Sequence, residues 1–256
     1  MAAAPQHGFT WLSLIPGINE LPDHSATAAL VAALILGTAY VARRQIAAAR
    51  DPAIPDATFT ARNIMEIFVE NFTGLVEGVV GRDADLYAPF YGALFLFILI
   101  CNLIGLIPGF VPPTSNVNTT LGLGITSFIV YNYFGFRAHG LSYLKHFMGP
   151  IWWLVILMLP LELIDNFLRP ITLNLRLMMN MFADHLVLDI FTDLTRLIVP
   201  VVFYMLGTFV SVIQAFVFTL LSMVYVALAV GGHEEHEHED AHAPAQAAMH
   251  PQETPH

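Results

Sequence analysis

Residues 86–136 run for 51 positions without an Asp, Glu, Lys or Arg. A soluble domain carries about one charged residue in four, so such a run has no place in one. The whole chain follows suit, at 56% hydrophobic, 12% charged and a mean hydropathy of +0.65. It reads as an integral membrane protein. A membrane helix needs about 20 apolar residues, so the run holds two. The break between them is GLIPGFVPPTSNVNTT, where Pro108, Pro112 and Pro113 interrupt helix. Spans are expected at about 88–108 and 117–136.

The other segments extend this pattern. Residues 1–24 are polar and Pro-containing, without the basic start and early apolar core of a signal peptide. Residues 25–42 carry no charge and end on Arg43, Arg44 and Arg50. The positive-inside rule puts that end in the cytoplasm and the N-terminus outside. After a Pro-rich linker at 51–57, residues 58–80 interleave Phe59, Ile64, Ile67, Phe68 and Leu75 with Arg62, Glu66, Glu70 and Glu77. This is the pattern of an amphipathic helix lying on the cytoplasmic surface. Residues 150–195 are too long for one upright span and too polar for lipid on every side, which predicts a long, steeply tilted helix bent by Pro160. Arg196 and Pro200 mark a turn. Residues 197–232 are a further uncharged stretch of 36 residues. At about 1.5 Å per residue it exceeds a roughly 30 Å hydrocarbon core, so it tilts or projects.

The predicted fold is therefore all-α and integral to the membrane. Five helices cross, one amphipathic helix lies at the surface, and the last two form a long, tilted antiparallel hairpin. The organisation is an outer segment at 1–24, a membrane domain at 25–230 and a disordered His/Glu-rich cytoplasmic tail at 231–256. Arg43, Arg44, Arg50, Arg62, Arg82, Arg137 and Lys145 all fall on cytoplasmic segments in this topology, against Arg196 outside.

Several function classes drop out. The net charge of −10 owes six acids to the tail, and removing them leaves 10 basic against 14 acidic residues, or −4. No basic surface for nucleic acid remains. There is no Gly-rich phosphate loop, GxSxG or HExxH. The one cysteine, Cys101, lies in an apolar run and supplies no disulfide or Cys-based metal site. The tail's histidines are compatible with divalent metal, but a solvated disordered tail explains them as well.

What stands out is 168–180, LRPITLNLRLMMN, with Arg169 and Arg176 seven residues apart. Arg176 is the only charged residue from 170 to 183. A guanidinium does not lose its charge in a protein, and placing one mid-membrane costs roughly 2.5–3.5 kcal/mol on insertion scales. At about 100° per residue, Asn180 shares the Arg176 face, Glu162 lies some 40° the other way if the helix continues through Pro170, and His185 faces opposite. Asp189 is one turn after His185 and able to pair with it. Asp184 and Asp193 lie nearby. On the last helix Gly207, Ser211 and Gln214 make a thin small or polar stripe, with Tyr204, Thr208 and Ser222 near it. The functional reading is two hydrated half-pathways separated by a cation that no proton passes. Bland readings stand beside it: a snorkelling arginine, a packing histidine, hydrated helix-end aspartates, and a Ser/Gln stripe serving as helix glue.

At these residues the chain resembles subunit a of F-type ATP synthases. The resembling stretches are RPITLNLRLMMNMFADHL, then IQAFVFTLLSMVY, and an entry to the fourth helix at 113–121. The resemblance covers about 25–230. It implies a proton-translocating stator subunit that does no nucleotide chemistry and carries no cofactor or metal. Its partners would be a ring of c subunits, the b subunits of the peripheral stalk, the rest of the complex and the lipid of a bacterial inner membrane. Arg176 matches the family's essential ring-facing arginine. Glu162 matches an acidic residue of the cytoplasmic half-channel, His185 a Glu-or-His position of the outer one, and Asn180 and Gln214 match family amides. Ser211 is expected to line the channel.

Two departures bear on the outer half-channel. Gly207 stands where the family often has a titratable His or Glu, and Asp184 stands where a glycine is usual. Asp184 and Asp189 are the candidates to replace the missing group. The competing readings are an ion-coupled transporter centred on Arg176 and Glu162, which would be expected to show internal repeats, and a membrane metalloenzyme, which would need a ligand-spaced histidine pair.

Overall fold

The computed structural model describes residues 11, 22–48, 60–81, 84–140, 143, 155–194 and 198–231; the side chains of 155, 158, 189, 192–194, 198 and 199 are not described. The linker at 51–57, Lys145, Arg196 and the tail beyond Gly231 lie outside these residues, as does most of the segment 1–24.

Six helices account for nearly all of it: α1 (Asp23–Ala48), α2 (Ala61–Val80), α3 (Ala84–Gly105), α4 (Val117–His139), α5 (Val155–Leu194) and α6 (Ile198–Gly231), with a 3-10 turn at Pro113–Ser115 before α4. The predicted segments match these helices to within a few residues at most ends. Local chemistry sets several of the ends. Thr60 caps α2 by accepting from the Asn63 amide, and Asn116 caps α4 by accepting from the Asn118 amide at 2.9 Å. Gly140 ends α4 at φ +56°, its amide donating to Phe136 O at 2.7 Å.

Among the described residues, three helices are long and apolar enough to cross a membrane: Asp23–Ala48, Ala84–Gly105 and Pro200–Gly231. The length of α4 and α5 suffices, but α4 carries Asn118, Asn132 and Arg137, and α5 carries Glu162, Asp165, Arg169, Arg176 and Asp184.

The 40-residue α5 runs unbroken through Pro160 and Pro170. A proline in a helix leaves the carbonyl four residues earlier without its donor. For Pro170 that carbonyl belongs to Asn166, and the hydroxyl of Tyr131 on α4 donates to it at 3.2 Å while also contacting the Asn166 side-chain oxygen. The neighbouring helix thus supplies the donor that the proline lacks, which is how membrane helices tolerate proline.

Packing centres on α3 against α6, with α4 on α5 and α6, and α2 on α3 and α6. The shared core includes Tyr91, Ile98, Leu177, Met181, Phe218 and Met223. Helices approach closely where a side chain would collide. Asn174 occupies the space beside Gly124, and the Tyr143 ring the space beside Gly135. This small-residue packing is expected where lipid offers no hydrophobic drive to associate. Amphipathic α2 buries Phe72, Val76 and, less expectedly, Arg62. The Arg62 guanidinium donates to Glu66 at 2.6 Å, and its backbone amide donates to Gln45 of α1. The charge is neutralised within α2, and the backbone amide ties α2 to α1.

Candidate functional site

Leu173, Leu177, Met181 and Leu188 are buried and set the rotation of α5, because their spacing lays one stripe against its neighbours. The opposite face carries Ile171, Leu175, Met179, Phe182, Leu186 and Ile190, all exposed. Arg176 projects with this outer set and makes no hydrogen bond or ion pair with any described residue.

Arg169, on the same helix, has a different environment. Its guanidinium donates twice to Asp165, at 2.6 and 3.0 Å, and lies 5.3 Å from the centroid of the Tyr225 ring. Two arginines that look alike in sequence are therefore one satisfied cation and one presented cation.

Asn180 and Gln214 meet. The Asn180 Nδ2 donates to Gln214 Oε1 at 2.7 Å and joins α5 to α6. Gln214 is buried, with its Nε2 unpartnered among the described residues; the Ser211 hydroxyl, one turn away, is also buried and unpartnered there. The predicted stripe of Gly207, Ser211 and Gln214 faces inward, and Ser222 continues it. Thr208 is exposed and donates to Tyr204 O of its own helix, outside the stripe.

His185 is half-buried beneath the loop joining α3 to α4. A Cβ placed on Gly105 would lie 3.0 Å from its Nε2 and 2.5 Å from the Pro112 Cβ, so ring, loop and helix end share one space. Asp184 is half-buried, with its Oδ2 unpartnered among the described residues. The side chains of Asp189 and Asp193 lie outside those described. At Gly207, the nearest side-chain atom to an added Cβ is Leu106 Cδ2, at 3.0 Å.

Glu162 is half-buried toward the other end of α5, one turn before Asn166. It lies 14 residues from Arg176, or about 21 Å along the axis, and His185 lies about 14 Å beyond Arg176 the other way. The structure thus spaces the carboxylate, the cation and the histidine along one helix. Among the described residues, no three His, Cys, Asp or Glu side chains come together.

Two buried residues escaped sequence reasoning. Thr114 Oγ1 donates to Asn102 Oδ1 at 2.7 Å, and Asn102 Nδ2 donates to Ser211 O at 3.3 Å. This chain of contacts ties the 3-10 turn through α3 to the polar stripe on α6. The signal was legible: Asn102 is the one amide side chain in α3.

The family profile described as ATP synthase A chain matches residues 25–227. The chain belongs to the ATP synthase A chain family. It is 42% identical over 231 residues to the ATP synthase subunit a of Bdellovibrio bacteriovorus, covering 90% of this chain and 99% of that one. The subunit a of Sorangium cellulosum is 38% identical over 254 residues, with 91% and 100% covered. That of Geobacter sulfurreducens is 46% identical over 165 residues, with 64% and 72% covered. An ATP synthase A chain is a non-catalytic, membrane-sector subunit serving proton transport and ATP synthesis. The apolar helices of this one fit that setting.

Proposed function

We propose that this A chain is the proton-translocating stator subunit of a bacterial rotary ATP synthase in the inner membrane. The observation that carries the reading is Arg176, a permanent cation on an exposed apolar face with no partner among the described residues. In a membrane such a charge needs an anion from another chain. A carboxylate on each subunit of a c ring meets that need: it is held ionised while it faces the guanidinium and takes up a proton before moving into lipid.

Protons reach and leave the ring by two half-channels. His185, Asp184 and Asp189 serve the outer one, and Glu162 the cytoplasmic one. Asn180, Gln214 and Ser211 line the path beside Arg176. The buried, unpartnered atoms of Ser211, Gln214 and Asp184 support this reading, since such groups call for water. Each proton brings about 2.3 kcal/mol per 100 mV of membrane potential, and Arg176 keeps it from passing without turning the ring. The chain crosses five times with the N-terminus outside, α5 and α6 form a tilted antiparallel hairpin against the ring, and the b subunits hold the remaining helices. The 231–256 tail is a solvated cytoplasmic extension.

The test is ATP-driven proton pumping in inverted vesicles from cells carrying Arg176→Ala or Arg169→Ala in an assembled complex. Arg176→Ala abolishes pumping and Arg169→Ala leaves most of it. Normal pumping by Arg176→Ala would overturn the mechanism.

A further inference from the structure

Trp11 is held against the loop between α3 and α4 by two separate hydrogen bonds. Its backbone amide donates to Gly109 O at 3.2 Å, and its indole Nε1 donates to Pro108 O at 3.0 Å. The fit is steric as well. Gly109 sits at φ +89°, where side chains are strained, and a Cβ there would lie 2.5 Å from the Trp11 Nε1. Glycine at 109 thus allows both the turn and the docking of an indole from a residue 98 positions earlier.

The inner side of the same loop touches the proposed outer half-channel at three places. Leu106 fills the space beside Gly207, Pro112 shares the space at Gly105 with the His185 ring, and Thr114 bonds Asn102, which bonds Ser211. Every contact lies within five residues of the point that Trp11 grips. Residues 106–112 include two prolines and a glycine, and the backbone bonds they make themselves are single-turn ones, from the amides of Leu106, Ile107 and Phe110 to carbonyls three residues back. Trp11 adds a hold on this loop from outside it.

We propose that Trp11 is a positioning residue for the outer half-channel, a latch that keeps the 106–112 loop packed on His185 and on Gly207, one turn before Ser211, so that protons enter by a narrow polar path. This rests on the half-channel reading given above. An interfacial tryptophan that only anchors the chain in the membrane would leave the path unchanged when removed.

The experiment uses the intact complex in membrane vesicles, with Cys101→Ala as background. The rate of labelling by a water-soluble maleimide is measured at Ser211→Cys and, in a separate strain, at Glu162→Cys. Each is compared with Trp11 present, with Trp11→Phe and with Trp11→Ala. Loss of the indole donor weakens closure by one hydrogen bond, so labelling of Ser211→Cys rises roughly three- to tenfold in Trp11→Phe, and at least as much in Trp11→Ala. Labelling of Glu162→Cys, at the far end of α5, does not change. An unchanged or lower rate at position 211, or an equal rise at 162, overturns the latch. Pumping by Arg176→Ala is read in parallel: if it persists while the labelling at 211 responds to Trp11, the loop is latched but the half-channel reading fails.

Discussion

The Asn180 amide donates to the Gln214 carbonyl across the α5–α6 contact at 2.7 Å, on the turn after Arg176. This bond fixes the height of one helix against the other where the presented cation sits. It also leaves Gln214 Nε2 buried and free of partners among the described residues. The pair therefore both positions α5 and offers a donor to the path.

Replacing either partner by a shape-similar apolar residue leaves the other amide, buried at Gln214 and half-buried at Asn180, without this bond. Asn180→Leu and Gln214→Leu should each cost about 1–3 kcal/mol of stability, while the double variant costs less than their sum. Thermal dissociation of the purified complex in detergent measures the cycle. Strict additivity would show that the two side chains do not interact.

Tyr131→Phe removes the hydroxyl that serves the Asn166 carbonyl freed by Pro170. A loss of about 1–3 kcal/mol is expected. Adding Pro170→Ala should recover part of it, because the amide at 170 then bonds Asn166 itself. If the second substitution makes matters worse, the proline is needed for a reason other than the freed carbonyl.

Gly124→Val forces a branched side chain into the space held by Asn174, which is buried with no bond partner among the described residues. Overpacking of this kind typically costs about 1–3 kcal/mol. The amount of subunit retained in the membrane sector, measured by immunoblot against the wild type, should fall. It should partly return with Asn174→Ala.

Gly207→His would put a titratable ring where Leu106 now packs at 3.0 Å from the added Cβ. Alone it should slow pumping by displacing the loop. Combined with Leu106→Ala, which vacates that space, pumping should rise above that of the single variant. No recovery would mean that the loop's placement is not what limits Gly207→His.

Arg169→Ala loses an ion pair to an exposed Asp165 and a cation–π contact to Tyr225. Each is worth at most about 1 kcal/mol at a partly exposed site. Stability should fall slightly and proton pumping should stay near the wild-type rate. A loss of pumping as deep as that expected for Arg176→Ala would remove the distinction drawn between the two arginines.

Much of the architecture was legible because long apolar helices are written as length and hydropathy. The helices at 23–48, 84–105, 117–139, 155–194 and 198–231 all coincide with segments that could be marked on charge and proline alone. The amphipathic α2 was legible from its alternation, but not the burial of Arg62, whose charge is met by Glu66 of the same helix. That Gly207, Ser211 and Gln214 share one stripe followed from helical spacing, whereas its inward direction came from the packing. Asn102 and Thr114 did not join the site in sequence, since Asn102, which Thr114 bonds, reaches Ser211 about 100 residues away and nothing local marks that pairing.

The sequence by itself determined which stretches form long, mostly apolar helices, where they break and that two arginines lie among them, because hydropathy, charge and proline act along the chain. Only the tertiary structure decided which arginine is satisfied and which is presented. Arg169 is a turn after Asp165 and meets Tyr225 of another helix, while Arg176 is turned outward because Leu173, Leu177 and Met181 are buried against the neighbouring helices. The rotation of a helix about its axis is set by what packs on it. That is a property of neighbours distant in sequence, and no local pattern contains it.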